Sequence, residues 1–235
     1  MFSGFPPEAM TFFRGLARNN NRDWFQPRKE IYETKVKAPM CELVEAINAE
    51  MLKFAPDYIN DPKKAIYRIY RDTRFSKDKT PYKTHIAAVF PRRGLEKHAG
   101  AGLYFSVSPQ GIEIAGGVYM PGPEQLLAIR TWLAENHAEF RKASRGPEKL
   151  MGKLYGDSLQ RVPKGFDAAH PAASLIKMKQ WLYDLTLDAK LATSAKLAPE
   201  ILKRFRAMAP VLELLNTPLR AKIRNRQPAM IADLF

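Results

Sequence analysis

Between residues 71 and 83 the chain reads RDTRFSKDKTPYK, and these side chains suit the chemistry of holding an anion. Arg71 and Arg74 carry planar forks matched to phosphate or carboxylate, and Lys77, Lys79 and Lys83 add point charges. Ser76 adds a hydroxyl, Asp72 and Asp78 can orient the cations, and Phe75 or Tyr82 can stack on a ring. If a reaction takes place, Asp78, Tyr82 and His170 are the groups suited to proton transfer, with the cations stabilising developing charge. A solvated basic loop held by local Asp–Lys pairs would use the same residues. The joint presence of two Arg forks, Ser76 and aromatics favours the anion site.

Other candidates lie further along. Gly116 and Gly117, in GGVYMP, could let backbone N–H groups approach a ligand, although a glycine inside a strand more often marks a bulge. VPKGFDAAHP brings Lys164, Asp167 and His170 into one loop, where Asp167 and Pro171 equally suit a stapled turn. Asn19 and Asn20 suit a left-handed C-terminal cap of the first helix and Asn21, before RDWF, the N-cap of the next, so helix capping competes with an orienting role for Asn20. The four histidines show no diagnostic ligand spacing, and Cys41 is the only cysteine, so no tightly bound metal is expected and no disulfide can form within the chain. No cofactor is indicated.

The formal charge of +14 is concentrated. Residues 63–97 hold eleven Lys or Arg against three Asp or Glu, residues 141–164 seven against two, and residues 216–235 four against one. Such patches call for a polyanion, an acidic surface or an anionic ligand. The first residues lack a basic segment followed by an apolar run, and no stretch approaches the roughly 18 apolar residues of a membrane span. A cytoplasmic protein is therefore expected, with its oligomeric state left open.

The elements that must position these groups follow from hydrophobic period. Met10, Phe13, Leu16 and Ala17 predict a first helix behind Pro6 and Pro7. Trp24, Phe25, Ile31 and Tyr32 predict a second, broken near Pro39, and Leu43, Ile47, Met51 and Phe54 predict a third. After Pro56 the period changes to two: AIYRIY, THIAAVF, AGLYFSVS and GIEIAGGVYM read as strands, with SPQG as a hairpin turn in which Gly111 can take positive φ. A helix is expected over 123–142, then a basic loop, a fifth strand in WLYDLTL and a last helix through APEILKRFRAMAPVLELLN. These predict an α+β fold, a mainly antiparallel sheet of about five strands packed with N-terminal and C-terminal helices. Residues 1–215 are expected to form a single domain, and 216–235 a basic tail, docked or disordered.

NNNRDWF at 19–25, YRDTRFSKDKTPYKTH at 70–85, GGVYMP at 116–121 and VPKGFDAAHP at 162–171 occur in this order, with Ile129 and Arg130 between the last two. In these blocks the chain resembles the family called domain of unknown function 2461. The resemblance implies an α+β domain in a cytoplasmic protein and carries no established activity, substrate or cofactor. It marks Asn20, Arg71, Asp72, Arg74, Ser76, Lys77, Asp78, Lys79, Tyr82, Lys83, Gly116, Gly117 and Lys164.

The leading expectation is a basic pocket for a phosphate-bearing or other anionic small ligand, with enzymatic action on it left open. In it Arg71 and Arg74 clamp, the lysines neutralise, and the Gly116–Gly117 stretch and Lys164 contribute. Sequence-independent nucleic-acid binding is one alternative, with Tyr67, Tyr70, Phe75 and Tyr82 available for stacking. The other is an interaction domain for an acidic partner or lipid surface.

Overall fold

A computed structural model describes residues 2–95 and 98–226. The fold is α+β. Four helices carry most of it: α1 (Pro7–Arg18), α2 (Ala38–Met51), α3 (Pro123–Met151) and α4 (Leu197–Arg226). One antiparallel sheet has the order β1-β2-β3-β4, from β1 (Ile86–Pro91), β2 (Gly102–Ser108), β3 (Gly111–Val118) and β4 (Trp181–Leu187). No helix among the described residues is long and apolar enough to cross a membrane.

The strands number four, not five. AIYRIY forms no strand, because its pairing with the following segment is interrupted. Ile66 bridges Ala88 and Tyr70 bridges Tyr82, but the register slips between the two and no continuous ladder forms. Pro81, which has no N–H to offer a ladder, lies at the turn-side end of this ribbon, where its carbonyl accepts from the Arg71 amide at 2.9 Å. The other four predicted strands are present. In the hairpin, Gly111 does not take positive φ; a side chain there would collide with Thr186.

Three helix boundaries also differ. The helical path does not break at Pro39. Residues Tyr32–Lys37 wind as a π-helix, with the Ala38 amide bonded five residues back to the Glu33 carbonyl. This wider turn gives Pro39 room where its ring would otherwise press on the carbonyl four residues back. Helix α3 runs past the expected end at 142, because Phe140, Ser144, Pro147 and Met151 continue a buried stripe at helical spacing, and packing outweighs the poor propensity of Gly146 and Pro147. It bends at Asn136 (φ −122°, ψ 23°). Helix α4 continues beyond 216, and Leu219 in that extension is buried; residues 227–235 of the expected tail lie outside the described residues.

The chain divides into two compact units. The first comprises residues 2–90 with Tyr104–Ile114 and Leu185–Lys203, and the second Pro91–Leu103, Ala115–Asp184 and α4 from Arg204. In the first, Phe13, Leu16, Phe25, Met40, Leu43, Phe90 and Phe105 are almost wholly buried, each worth about 1.5–3 kcal/mol of transfer free energy. In the second, Leu133, Phe140, Trp181, Tyr183, Phe205 and Leu212 play the same part. Two buried polar groups tie the second unit together. Asn216 is fully enclosed and brackets Ala101, accepting from its N–H at 2.8 Å and donating to its carbonyl at 2.9 Å. Arg92 donates from Nε to Glu213 at 2.9 Å.

Candidate functional site

The basic segment is a loop with a pinned base. At its two ends Arg71 N–H donates to Pro81 O and Lys83 N–H donates to Ile69 O. Asn20, far away in sequence, reproduces with its side chain the pairing of a strand: Nδ2 donates to Tyr82 O at 2.9 Å and Oδ1 accepts from Tyr82 N–H at 3.0 Å. Its neighbour Asn21 caps the Arg22–Phe25 turn by accepting from Trp24 N–H. Neither Asn19 nor Asn20 takes the left-handed conformation expected of a C-terminal cap; Asn19 instead donates to the Gly15 carbonyl. The Tyr82 ring stacks on Phe25 with centroids 4.2 Å apart and sits beside Tyr70 at 5.5 Å. Burial pushes its hydroxyl ionisation up, so Tyr82 anchors the loop as part of an aromatic cluster.

Beyond this base, residues 68–83 set six cations against two carboxylates. Arg71 is held in place from one end: Nη1 donates to Asp78 at 2.5 Å, to the Thr80 carbonyl at 3.2 Å and to the Thr80 hydroxyl. Its Nε and Nη2, the edge that grips an oxyanion side-on, make no hydrogen bond among the described residues. Arg74 is engaged differently, because Nε and Nη2 both donate to Asp72, at 3.0 and 2.7 Å. Lys79 donates to the Thr73 carbonyl at 2.9 Å, and Lys83 lies 4.8 Å from the Tyr67 ring centroid. Ser76 closes the tip by donating its amide to Thr73 O. Lys77 is exposed and forms no ion pair among the described residues. Phe75, at the tip, is 95% exposed.

The carboxylates are strongly acidic. The Arg74 side chain holds Asp72 at a pKa of about 2, and the Thr80 amide, then the Arg71 guanidinium, hold Asp78 at about 2. A carboxylate of that acidity accepts a proton poorly near neutrality, and Asp78 is placed to orient Arg71. Both values lie below the ordinary 3.8, so the support these pairs give the loop is complete above that pH and is lost as the pH falls through about 2. The Thr80 amide bonds to Asp78, so its protection factor, taken against the intrinsic exchange rate at each pH, should hold at pH 5 and fall on acidification from 3.8 towards 2; a protection factor constant across that window would contradict the pairing.

The sequence alone does not single out a second polar group in the first unit. Ser106 Oγ donates to Glu113 Oε2 across the hairpin at 3.2 Å, and the Tyr104 hydroxyl hydrogen-bonds with both, its pKa raised to about 12 chiefly by burial. The period-two placing of Tyr104 and Ser106 on β2, with Glu113 two residues past the turn, is the signal that carries it. For His85, half-buried on the approach to β1, burial and then nearby Lys83 push the imidazole pKa down.

The remaining candidates fall in the second unit. Gly117 has φ 136°, and a side chain there would run into the Trp181 carbonyl oxygen, while one on Gly116 would meet the Met208 sulfur at 2.8 Å. Both glycines are thus accounted for by protein packing. Lys164 is exposed beside a turn in which Phe166 N–H donates to Pro163 O. Asp167 accepts from Ala169 N–H at 2.9 Å, and His170 Nδ1 accepts from Ala172 N–H at 3.0 Å, which places the ring proton on Nε2. The His170 ring lies 5.5 Å from that of His137. Among the described residues no group of three or more His, Cys, Asp or Glu is placed to hold a metal ion.

An α+β chain with a pinned cationic loop is the class that fold and geometry define. It belongs to the family described as conserved hypothetical protein (DUF2461), whose model matches residues 8–213. Searches of curated proteins and of solved structures found no significant match.

Proposed function

We propose that the protein binds a phosphate-bearing or other anionic small ligand on the loop from Arg71 to Lys83. The observation that carries this reading is the state of Arg71: Asp78 and Thr80 fix its Nη1, leaving the Nε–Nη2 edge for a side-on oxyanion. A guanidinium already oriented loses less freedom on binding, and charge-assisted pairs are the strong ones. Lys77 and Lys83 add charge within the same loop, whereas Arg74, closed by Asp72, supports the loop and leaves the clamp to Arg71.

Thermal unfolding in phosphate, sulfate, nucleotides and sugar phosphates, each at low and moderate salt, tests it. A ligand of the native state at a hundredfold excess over Kd stabilises by about 2.7 kcal/mol. The expected result is a saturable rise in Tm with one of these anions that survives moderate salt and disappears in Arg71→Ala. Arg71→Lys should recover only part of it, since charge returns without the fork. An undiminished rise in Arg71→Ala would end the proposal.

Phe75 favours a second reading. An exposed ring with the Arg74 guanidinium 5.7 Å from its centroid is the combination that stacks on bases of single-stranded nucleic acid. In that case oligonucleotides alone would raise Tm, the effect would fall steeply with salt, and Phe75→Ala would weaken it.

A further inference from the structure

Arg130 is a buried cation with no counter-charge among the described residues. On α3 it lies next to the fully buried Ile129, three residues before the fully buried Leu133, and only 9% of it reaches solvent. Its Nη2 donates to the Met178 carbonyl at 2.9 Å. Its Nε is enclosed and makes no hydrogen bond, Nη1 makes none either, and the side chain forms no ion pair among the described residues. Arg92, in the same unit and equally buried, shows the ordinary arrangement, its Nε bonded to the Glu213 carboxylate. A guanidinium keeps its charge at any physiological pH. An enclosed, unpaired charge is among the costliest features a fold can carry, so one retained this way calls for a reason.

We propose that Arg130 anchors a binding site for a small oxyanion, a phosphate or carboxylate group, in the second unit. Nη1, the terminal nitrogen that makes no bond, is the donor left for it; Nε faces the other, enclosed edge, and the bond from Nη2 to Met178 holds the guanidinium while the anion binds. The surroundings suit that charge. Lys177 and Lys179 flank Met178 in the chain and form no ion pair among the described residues. The segment 141–164, which leads through Ser158 to its bridge with Met178, carries seven Lys or Arg against two acidic residues. This site is separate from the loop of the first unit and does not depend on it.

The test uses the full chain carrying Arg71→Ala, so that the loop contributes nothing. The Nε–H resonance of Arg130, assigned by comparison with Arg130→Met, is followed while phosphate or acetate replaces chloride at constant ionic strength. A saturable shift with either anion is expected, and which one produces it tells phosphate from carboxylate. A resonance that moves with neither would overturn the proposal. In unfolding experiments Arg130→Met loses the bond to the Met178 carbonyl but also removes an unpaired charge, two opposing effects, so it should differ little from its parent in chloride and should lose the stabilisation by the anion. A variant equally destabilised in chloride and in the anion would reduce Arg130 to a peg for Met178. If Arg130→Met does not fold, Arg130→Lys supplies the assignment and the titration of the parent decides alone.

Discussion

Replacing Gly117 by alanine should unfold the second unit or come close to it. Two penalties coincide there. The backbone holds φ 136°, a region that side chains rarely enter, and the added methyl group would run into the Trp181 carbonyl oxygen at the start of β4. The obstacle is main chain, so no rotamer change relieves it, and the expected loss is roughly 4 kcal/mol or more. That is a large share of the roughly 5–15 kcal/mol by which a domain is stable. Urea unfolding measures it directly. Gly116→Ala is the comparison, since its neighbour is the flexible Met208 side chain and the loss should be much smaller. Equal losses at the two positions would mean that strain and the carbonyl contact do not govern the site.

Asn216→Leu should produce the second largest effect. Leucine is close in size, so little cavity is made, but both main-chain groups of Ala101 lose the partners they have in Asn216. Each buried group left unmatched costs about 1–3 kcal/mol, giving an expected loss of roughly 2–6 kcal/mol for the two. Calorimetry of the variant would show a lowered Tm, whereas a loss under about 1 kcal/mol would indicate that water replaces the side chain. Asn216 is the first residue of the segment expected to be a tail. Its enclosure, with that of Leu219, shows that this part of α4 belongs to the packed structure.

The features legible in the sequence are those whose signals are local. The apolar stripe of α1, the period-two runs of β2 and β3 and the unusual composition of 71–83 each lie within a short window, and each is present. Asn21 as a cap was legible for the same reason, since its partner is three residues away. AIYRIY misled because residue types report β-propensity and say nothing of whether a partner strand stays in register. The end of α3 was missed because Gly146 and Pro147 argue against a helix, while the stripe from Phe140 to Met151 argues for one only once packing is counted. Within the loop, the orienting role of Asp78 was readable from proximity, but which Arg edge stays open was not. It depends on Thr80, an ordinary residue in sequence terms. That Arg130 is buried without an ion pair among the described residues was not readable either, because a single charge on an apolar helix face gives no hint that its neighbours withhold a carboxylate.

The way the loop is held also bears on the order in which the chain folds. Its internal bonds, Arg71 with Asp78 and Arg74 with Asp72, join residues at most seven apart and can form almost at once. The bond that fixes its base, Asn20 to Tyr82, closes a circuit of 62 residues and draws on Phe25 for the ring beneath it. Joining such distant points has an entropy cost that nearby pairs escape. The base of the loop can therefore close only once the Asn20–Phe25 segment is in place to meet Tyr82, whereas the internal pairs need nothing beyond the loop itself.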